Sequence, residues 1–331
     1  MDPRPSFDER AALSAALDQP LPTVPPRYFY DARGSALFDE ITRLPEYYLT
    51  RAEEALIAQH HRQLVARGRL VEVAELGAGG GDKLRPILDA ARAAGALRRC
   101  TLLDISPAAL HPSVSRLQAA YPEVHVSGVV GDFLRDLPLL GPGGGRLLLF
   151  LGGTFGNLTP VEGRAFLARV AAILEPSDGF VLGLDLVKAP ADLLAAYDDA
   201  QGVTAAFNRN LLQVLNARFG ADFVPEDFAH RVRYDAPRAR IEMRLRATRP
   251  VEVHIPSVAW RRRFAAGDEI LTEISCKFDR GRFEALVAGS GLRVRRWFTG
   301  ARQRFALVEL EPARVGGGAP PKAGAQSGSP Q

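Results

Sequence analysis

The sequence predicts an α/β fold: a mostly parallel seven-stranded sheet finished by an antiparallel hairpin, with a smaller α+β unit beside it. From about residue 51 the 331-residue chain alternates amphipathic and strongly apolar runs, the order of a βα series. Between residues 188 and 276 that alternation stops, and it resumes at 277 with one helix and two closing β-runs. The first strand of the series opens into "GAGGGDK" (77–83), a glycine-rich turn of the kind that meets a ligand at the carboxyl edge of a parallel sheet.

Each element has a local reason. "RAEEALIAQHHRQLVA" (51–66) carries apolar residues at helical spacing, and "LVEVAEL" (70–76) is a buried strand. Helix "KLRPILDAARAAG" (83–95), strand "CTLLDIS" (100–106), helix "PAALHPSVSRLQAAY" (107–121) and strand "VHVSGVV" (124–130) continue the series. Strand "RLLLFLG" (146–152), helix "VEGRAFLARVAAIL" (161–174) and strand "GFVLGLDLV" (179–187) extend it. The interruption holds a helical stretch, "DLLAAYDDAQGVTAAFNRNLLQVLNARFG" (192–220), and three candidate antiparallel strands at 229–235, 240–248 and 251–257. Helix 280–291 and strands 292–299 and 303–310 close the sheet, the last two as an antiparallel hairpin. Residues 51–187 and 277–312 therefore form one expected domain, and residues 1–50 with 188–276 a second. The closing segment, rich in Gly, Pro, Ala and Ser, is expected as a disordered tail over 313–331.

Composition narrows the function. A chain 47% hydrophobic and 24% charged suits a globular protein, and with neither an apolar run of spanning length nor an apolar leader the expected location is cytoplasmic, away from membranes. Its formal charge of +4 comes from scattered arginines rather than a basic stripe interleaved with aromatics, so nucleic acid is not an expected partner. Cys100 and Cys276 lack the spacing of a metal site and read as buried small hydrophobes, and the six histidines, His60-His61 included, match no metal motif. No metal is expected.

The glycine turn is informative through the acids around it. In a dinucleotide fingerprint the third glycine opens the helix to a pyrophosphate, but that register holds Asp82, and a carboxylate there repels a diphosphate. A cofactor with a sulfonium cation and no phosphates, S-adenosylmethionine, suits Glu75 and Asp82 better. The second strand ends at Asp104, placed to accept both ribose hydroxyls, and the third in "GDF", with Asp132 to accept from an adenine amino group and Phe133 to pack on the base. Asp104 or Asp132 alone is more often a helix cap; three consecutive strands ending in Glu-x-Gly, Asp and Asp-Phe favour the cofactor reading. Beyond the fourth strand, "FLGGTFGNLTP" (150–160) holds Asn157 on a glycine-softened turn.

"RYFYDARGSALFDEITRLPEYYLTRAE" (27–53), "ELGAGGGDK" (75–83), "LGGTFGNL" (151–158) and "TEISCKF" (272–278) closely resemble the histidine-specific Nα-methyltransferases of ergothioneine biosynthesis. The likeness spans about residues 20–312. It implies a class I methyltransferase, with a Rossmann-like sheet and an added substrate-recognition domain, that methylates the α-amino group of L-histidine three times to give hercynine. It also implies cofactor contacts at Tyr47, Gly77, Lys83, Asp104, Asp132 and Phe133, and histidine contacts at Tyr30, Asn157, Tyr197, Met243, Glu273 and Ser275, with Asn157 and Tyr30 nearest the chemistry. The residues agree with this: in extended "TEIS", Glu273 and Ser275 face the same way and can bracket the two nitrogens of one imidazole. Met243 is suited to wall the ring, Tyr197 to share the substrate carboxylate, and the glycines at 152, 153 and 156 to leave room for a growing ammonium. A monomer acting on a small molecule is expected. A related enzyme for another aromatic amino acid, or a protein that holds the cofactor without turnover, are the rival readings.

Overall fold

The computed structural model describes residues 5, 7–79 and 81–313. The tail expected over 313–331 lies outside this range beyond its first residue, and the Asp82 carboxylate also lies outside what is described. The main sheet has seven strands: β1 Glu72–Leu76, β2 Arg99–Asp104, β3 His125–Val130, β4 Arg146–Phe150, β5 Gly179–Asp185, β11 Leu292–Thr299 and β12 Phe305–Pro312. Their order is β11-β12-β5-β4-β1-β2-β3, with β12 antiparallel to both neighbours and all other pairs parallel. Strands β1, β4 and β5 are buried along their whole length, which is why β4 and β5 read as near-continuous apolar runs, whereas β1 carries two buried glutamates, Glu72 and Glu75. The crossovers carry helices α4 Arg85–Ala93, α5 Pro107–Ala120 and α6 Pro160–Ile173, while α3 Leu49–Val65 leads into β1 and α9 Arg280–Val287 into β11.

The direction of strand succession reverses between β1 and β4, which lie side by side. The loops leaving their carboxyl ends diverge there and open a crevice. One loop is the glycine turn from Gly77; the other is the segment from Leu151 through a short 3-10 turn, Thr154–Asn157.

The chain between the two parts of the main sheet builds α7 Pro190–Tyr197, α8 Val203–Phe219, and strands β6 Phe228–Asp235, β7 Arg240–Ala247, β8 Val251–Ile255, β9 Trp260–Phe264 and β10 Glu269–Cys276. The helical stretch 192–220 is thus two helices. Gly202 takes a left-handed φ of +75° before α8, and Asp199 accepts the Val203 and Thr204 amides at 3.0 and 2.7 Å, capping the second helix. Strand 251–257 was expected with β6 and β7 but pairs with β9; the three-stranded antiparallel sheet is β10-β7-β6. The charged "WRRRF" run hid β9 from an apolar-run reading, because only its two terminal residues are buried.

Residues 7–50, with helices α1 Phe7–Leu17 and α2 Ala32–Ile41, pack against this second region. Phe29 stacks on Phe207 of α8 at 4.5 Å between ring centres, Tyr28 meets Phe219 edge-on, and Asn210 donates to Asp31 at 2.8 Å. The two sheets are joined through β10. Leu271 exchanges backbone hydrogen bonds with Pro22 and Val24, and just past the strand Phe278 bonds Asp185 at the end of β5. One strand therefore connects the N-terminal segment, the small sheet and the carboxyl edge of the main sheet.

Candidate active site

On the main-sheet side, Gly77 and Gly79 have φ of +65° and +47°, and the space above them is open: a Cβ on Gly77 would meet only Phe133, at 3.9 Å, and one on Gly79 nothing within 4 Å. Asp104, buried at the end of β2, accepts the Gly79 amide at 3.1 Å and the Ser106 amide at 2.8 Å. The capping role considered for it falls to Ser106, whose hydroxyl accepts from Ala109 at the start of α5. Asp132 accepts the Leu134 amide at 2.8 Å, and Phe133 packs on Phe150 with ring centres 4.9 Å apart.

Beneath the glycine turn lies a group of acids. Glu53, fully buried in α3, accepts the Lys83 ammonium at 2.6 Å and the Gly152 amide at 2.7 and 2.9 Å, so it ties the first crossover to the turn after β4. Gly183 makes room for it, since a Cβ there would sit 2.1 Å from a Glu53 oxygen. Glu75 is buried with one carboxylate oxygen lacking a hydrogen-bond partner among the described residues, and burial holds its pKa well above the ordinary range, with Lys83 opposing the rise and Glu53 and Asp104 adding to it. Three carboxyls and one ammonium beside open space above glycines fit a ligand that bears a cation and hydroxyls but no phosphate. The donor S-adenosylmethionine has that character.

On the other side of the crevice, the turn bearing Asn157 lies directly on β10. A Cβ on Gly156 would come 2.9 Å from the Cys276 carbonyl and 3.3 Å from the Ser275 hydroxyl, so the bare glycine lets the turn and the strand touch. The expectation that Gly152, Gly153 and Gly156 leave room for a bulky ammonium is corrected at Gly156, whose space is taken by β10, whereas a Cβ on Gly152 or Gly153 would meet its nearest neighbours, Thr154 and Phe305, at 3.4 and 3.6 Å. Asn157 is half-buried, its amide unpaired among the described residues. Glu273 stands opposite Met243 in the β10–β7 ladder, which puts both side chains on one face, and a register shift between Leu271 and Glu273 bends the strand there. Met243 is buried; Glu273 is half-buried, and burial pushes its pKa up to about 7 against a pull downward from Lys277.

Tyrosines complete the wall. Tyr30 is 39% exposed, its ring edge-on to Phe38 and Phe207 at 5.8 and 6.2 Å. Its hydroxyl pKa is raised by desolvation first and then by Glu273, Asp104 and Tyr197, so groups from both sheets act on it. Tyr47 is buried 6.4 Å from the Tyr197 ring. Of the residues singled out from the sequence, Tyr30 and Tyr47 both feel the charge of Glu273 and the neighbouring Tyr197, Glu273 faces Met243 across the ladder, and Lys83 is turned to Glu53.

A buried polar cluster behind the crevice escaped the sequence reading. Lys277, just after β10, is fully buried and donates to Tyr197 Oη at 2.9 Å, Ser275 Oγ at 2.8 Å and Asp185 at 2.8 Å. The Tyr197 and Ser275 hydroxyls bond each other at 2.8 Å, and Asp185 also accepts from Tyr48 and Lys188. Burial lowers Lys188 to about 8, against the pull of Asp185. An acid ending a wholly buried strand, as Asp185 does, was a readable signal of the kind used for Asp104; a lysine inside a core was not. Cys100 and Cys276 are buried free thiols, as expected. Among the described residues no cluster suits a metal ion, and no helix is long and apolar enough to cross a membrane.

Comparison with known proteins gives the family. The family model described as "Histidine-specific methyltransferase, SAM-dependent" matches residues 9–312. The chain is 43% identical over 300 residues to a histidine N-alpha-methyltransferase of Mycolicibacterium smegmatis, covering 91% of this chain and 92% of that protein. It is 42% identical over 298 residues to the protein of the same name from Mycobacterium tuberculosis, covering 90% and 93%. It is also 32% identical over 224 residues to "Ergothioneine biosynthesis protein 1" of Schizosaccharomyces pombe, covering 64% of this chain and 29% of that one. With a match over nearly its whole length and a seven-stranded sheet ending in an antiparallel hairpin, the chain belongs to the S-adenosylmethionine-dependent, histidine-specific methyltransferase family.

Proposed function

We propose that this enzyme methylates the α-amino nitrogen of L-histidine three times, giving hercynine for ergothioneine biosynthesis. The observation that carries the reading is the placement of Glu273, opposite Met243 and two residues before Ser275, on a strand that touches the Asn157 turn. A carboxylate that accepts a ring N–H and a neighbouring hydroxyl suit the two nitrogens of an imidazole, and Met243 supplies an apolar wall. Asn157 and Tyr30 hold the amine, and Tyr197 shares the carboxylate. On the opposite lip Asp104 takes the ribose hydroxyls, Asp132 and Phe133 the adenine, and Tyr47, Gly77 and Lys83 complete the donor site. Residues 1–50 and 188–276 serve as the substrate-recognition domain.

The donor supplies an electrophilic methyl on a sulfonium. Transfer needs an unprotonated amine aimed along the C–S bond, so the protein's task is placement and exclusion of water. A proton leaves the nitrogen before each attack, and the C–S bond breaks as the N–C bond forms. Tyr30 keeps its own proton, since burial and the nearby carboxylates raise its pKa. It orients the amine rather than acting as a strong base, and the proton departs through water. Mass spectrometry of L-histidine incubated with enzyme and S-adenosylmethionine tests the reading: three successive methyl additions are expected. No addition overturns the histidine assignment, and an endpoint at one or two overturns trimethylation.

A further inference from the structure

The Lys277 ammonium has three protons and three acceptors: Tyr197 Oη at 2.9 Å, Ser275 Oγ at 2.8 Å and Asp185 at 2.8 Å. No proton is left over. Ser275 Oγ receives one of those protons and lies 2.8 Å from the Tyr197 hydroxyl, so a single buried ammonium fixes both hydroxyls. Asp185, 2% exposed and held also by Tyr48 at 2.9 Å to each oxygen, keeps the ammonium aimed at the hydroxyl pair.

We infer that Lys277 is a positioning residue for substrate choice: by holding the Ser275 hydroxyl in one place it fixes the polar contact that a ring nitrogen of the substrate makes, so the preference for an azole over an apolar ring of like size depends on the ammonium behind the serine. A ring with no nitrogen leaves the held hydroxyl without a ligand partner in a desolvated site. The ammonium bonds Ser275 and is itself fully buried, so it acts through the hydroxyl. This inference rests on the proposed imidazole reading and adds the group that holds the contact.

The test compares dissociation constants of L-histidine and β-thienylalanine, whose ring of like size has neither N–H nor ring nitrogen, each measured with S-adenosylhomocysteine present. Lys277→Met is expected to reduce the preference for histidine about tenfold or more, with S-adenosylhomocysteine affinity unchanged. In a Ser275→Ala background the same substitution is expected to move the preference less than about threefold, because the serine it acts through is gone. Lys277→Gln, which keeps two N–H donors, is expected to fall between and carries the test if the methionine variant does not fold. Equal weakening of both ligands means a structural role and overturns the inference, as does an undiminished effect in the Ser275→Ala background. Absence of histidine turnover by the unmodified enzyme instead defeats the functional reading itself.

Discussion

Glu273 is the residue at which stability and recognition pull apart. Its pKa, raised from 4.5 to about 7 by burial, means that the folded protein holds an extra proton between those values. With the folded value above the unfolded one, the contribution of Glu273 to stability falls as the pH climbs through that window. Glu273→Gln keeps the shape and removes the titration. It is expected to raise Tm by about 2–4 °C at pH 8 while leaving it unchanged near pH 4.5. The same change weakens a charge-assisted hydrogen bond and is expected to lower kcat/KM for histidine about 10- to 100-fold. An equal Tm change at both pH values would show that the carboxyl does not titrate in this range. Asn157, with its amide unpaired and half-buried on the crevice lip, bears on catalysis more than on folding. Asn157→Ala should remove most turnover while Tm and the affinity for S-adenosylhomocysteine stay near those of the parent, and turnover at the parent rate would take Asn157 out of the site.

Two contacts between elements decide whether the lips meet. The Thr154–Asn157 turn reaches β10 only because Gly156 has no side chain, so Gly156→Ala must displace the turn or the strand by several tenths of an ångström. A cost of about 1–3 kcal/mol is expected from such overpacking, seen in denaturant unfolding, together with a rise in KM for histidine. Ordinary stability and KM would show that the turn can slide without consequence. The second contact is Glu53, through which α3 holds both Lys83 and the amide of Gly152. Glu53→Ala leaves a part-buried ammonium and a backbone N–H without their carboxylate, and a loss of about 3–5 kcal/mol is expected. A loss below about 1 kcal/mol would mean that water replaces the carboxylate at little cost.

At the scale of the whole molecule, the proposed donor site at the switch point between β1 and β4 links ligand binding to global stability, since a ligand that binds only the folded chain stabilises it. A ligand at 100 times its Kd stabilises the folded state by about 2.7 kcal/mol. S-adenosylhomocysteine should therefore raise Tm, and Asp104→Ala should cancel most of that rise by weakening binding about 1–3 kcal/mol. An undiminished thermal shift in the variant would place the ribose contact elsewhere. The backbone contacts of Asp104 add a complication that the measurement resolves. Because it holds the Gly79 and Ser106 amides, its loss should also lower Tm without ligand.

The βα alternation, the strand-end acids and the glycine turn were all legible in the sequence, because each is a local signal. A strand buried on both faces must be a continuous apolar run, and a left-handed backbone favours glycine. The alternation of "TEIS" likewise placed Glu273 and Ser275 on one side of a strand before any fold was known. What pairs with what was not local. The partner of strand 251–257, the role of β10 as the bridge between sheets, and the use of Gly156 for packing rather than space depend on residues far away in sequence. The Lys277–Asp185 cluster is the extreme case: nothing in "SCKF" marks a lysine for full burial, since an ammonium enters a core only where distant groups supply its acceptors. Tyr197 lies 80 residues away from that lysine, and only the tertiary structure brings the two to one hydrogen bond.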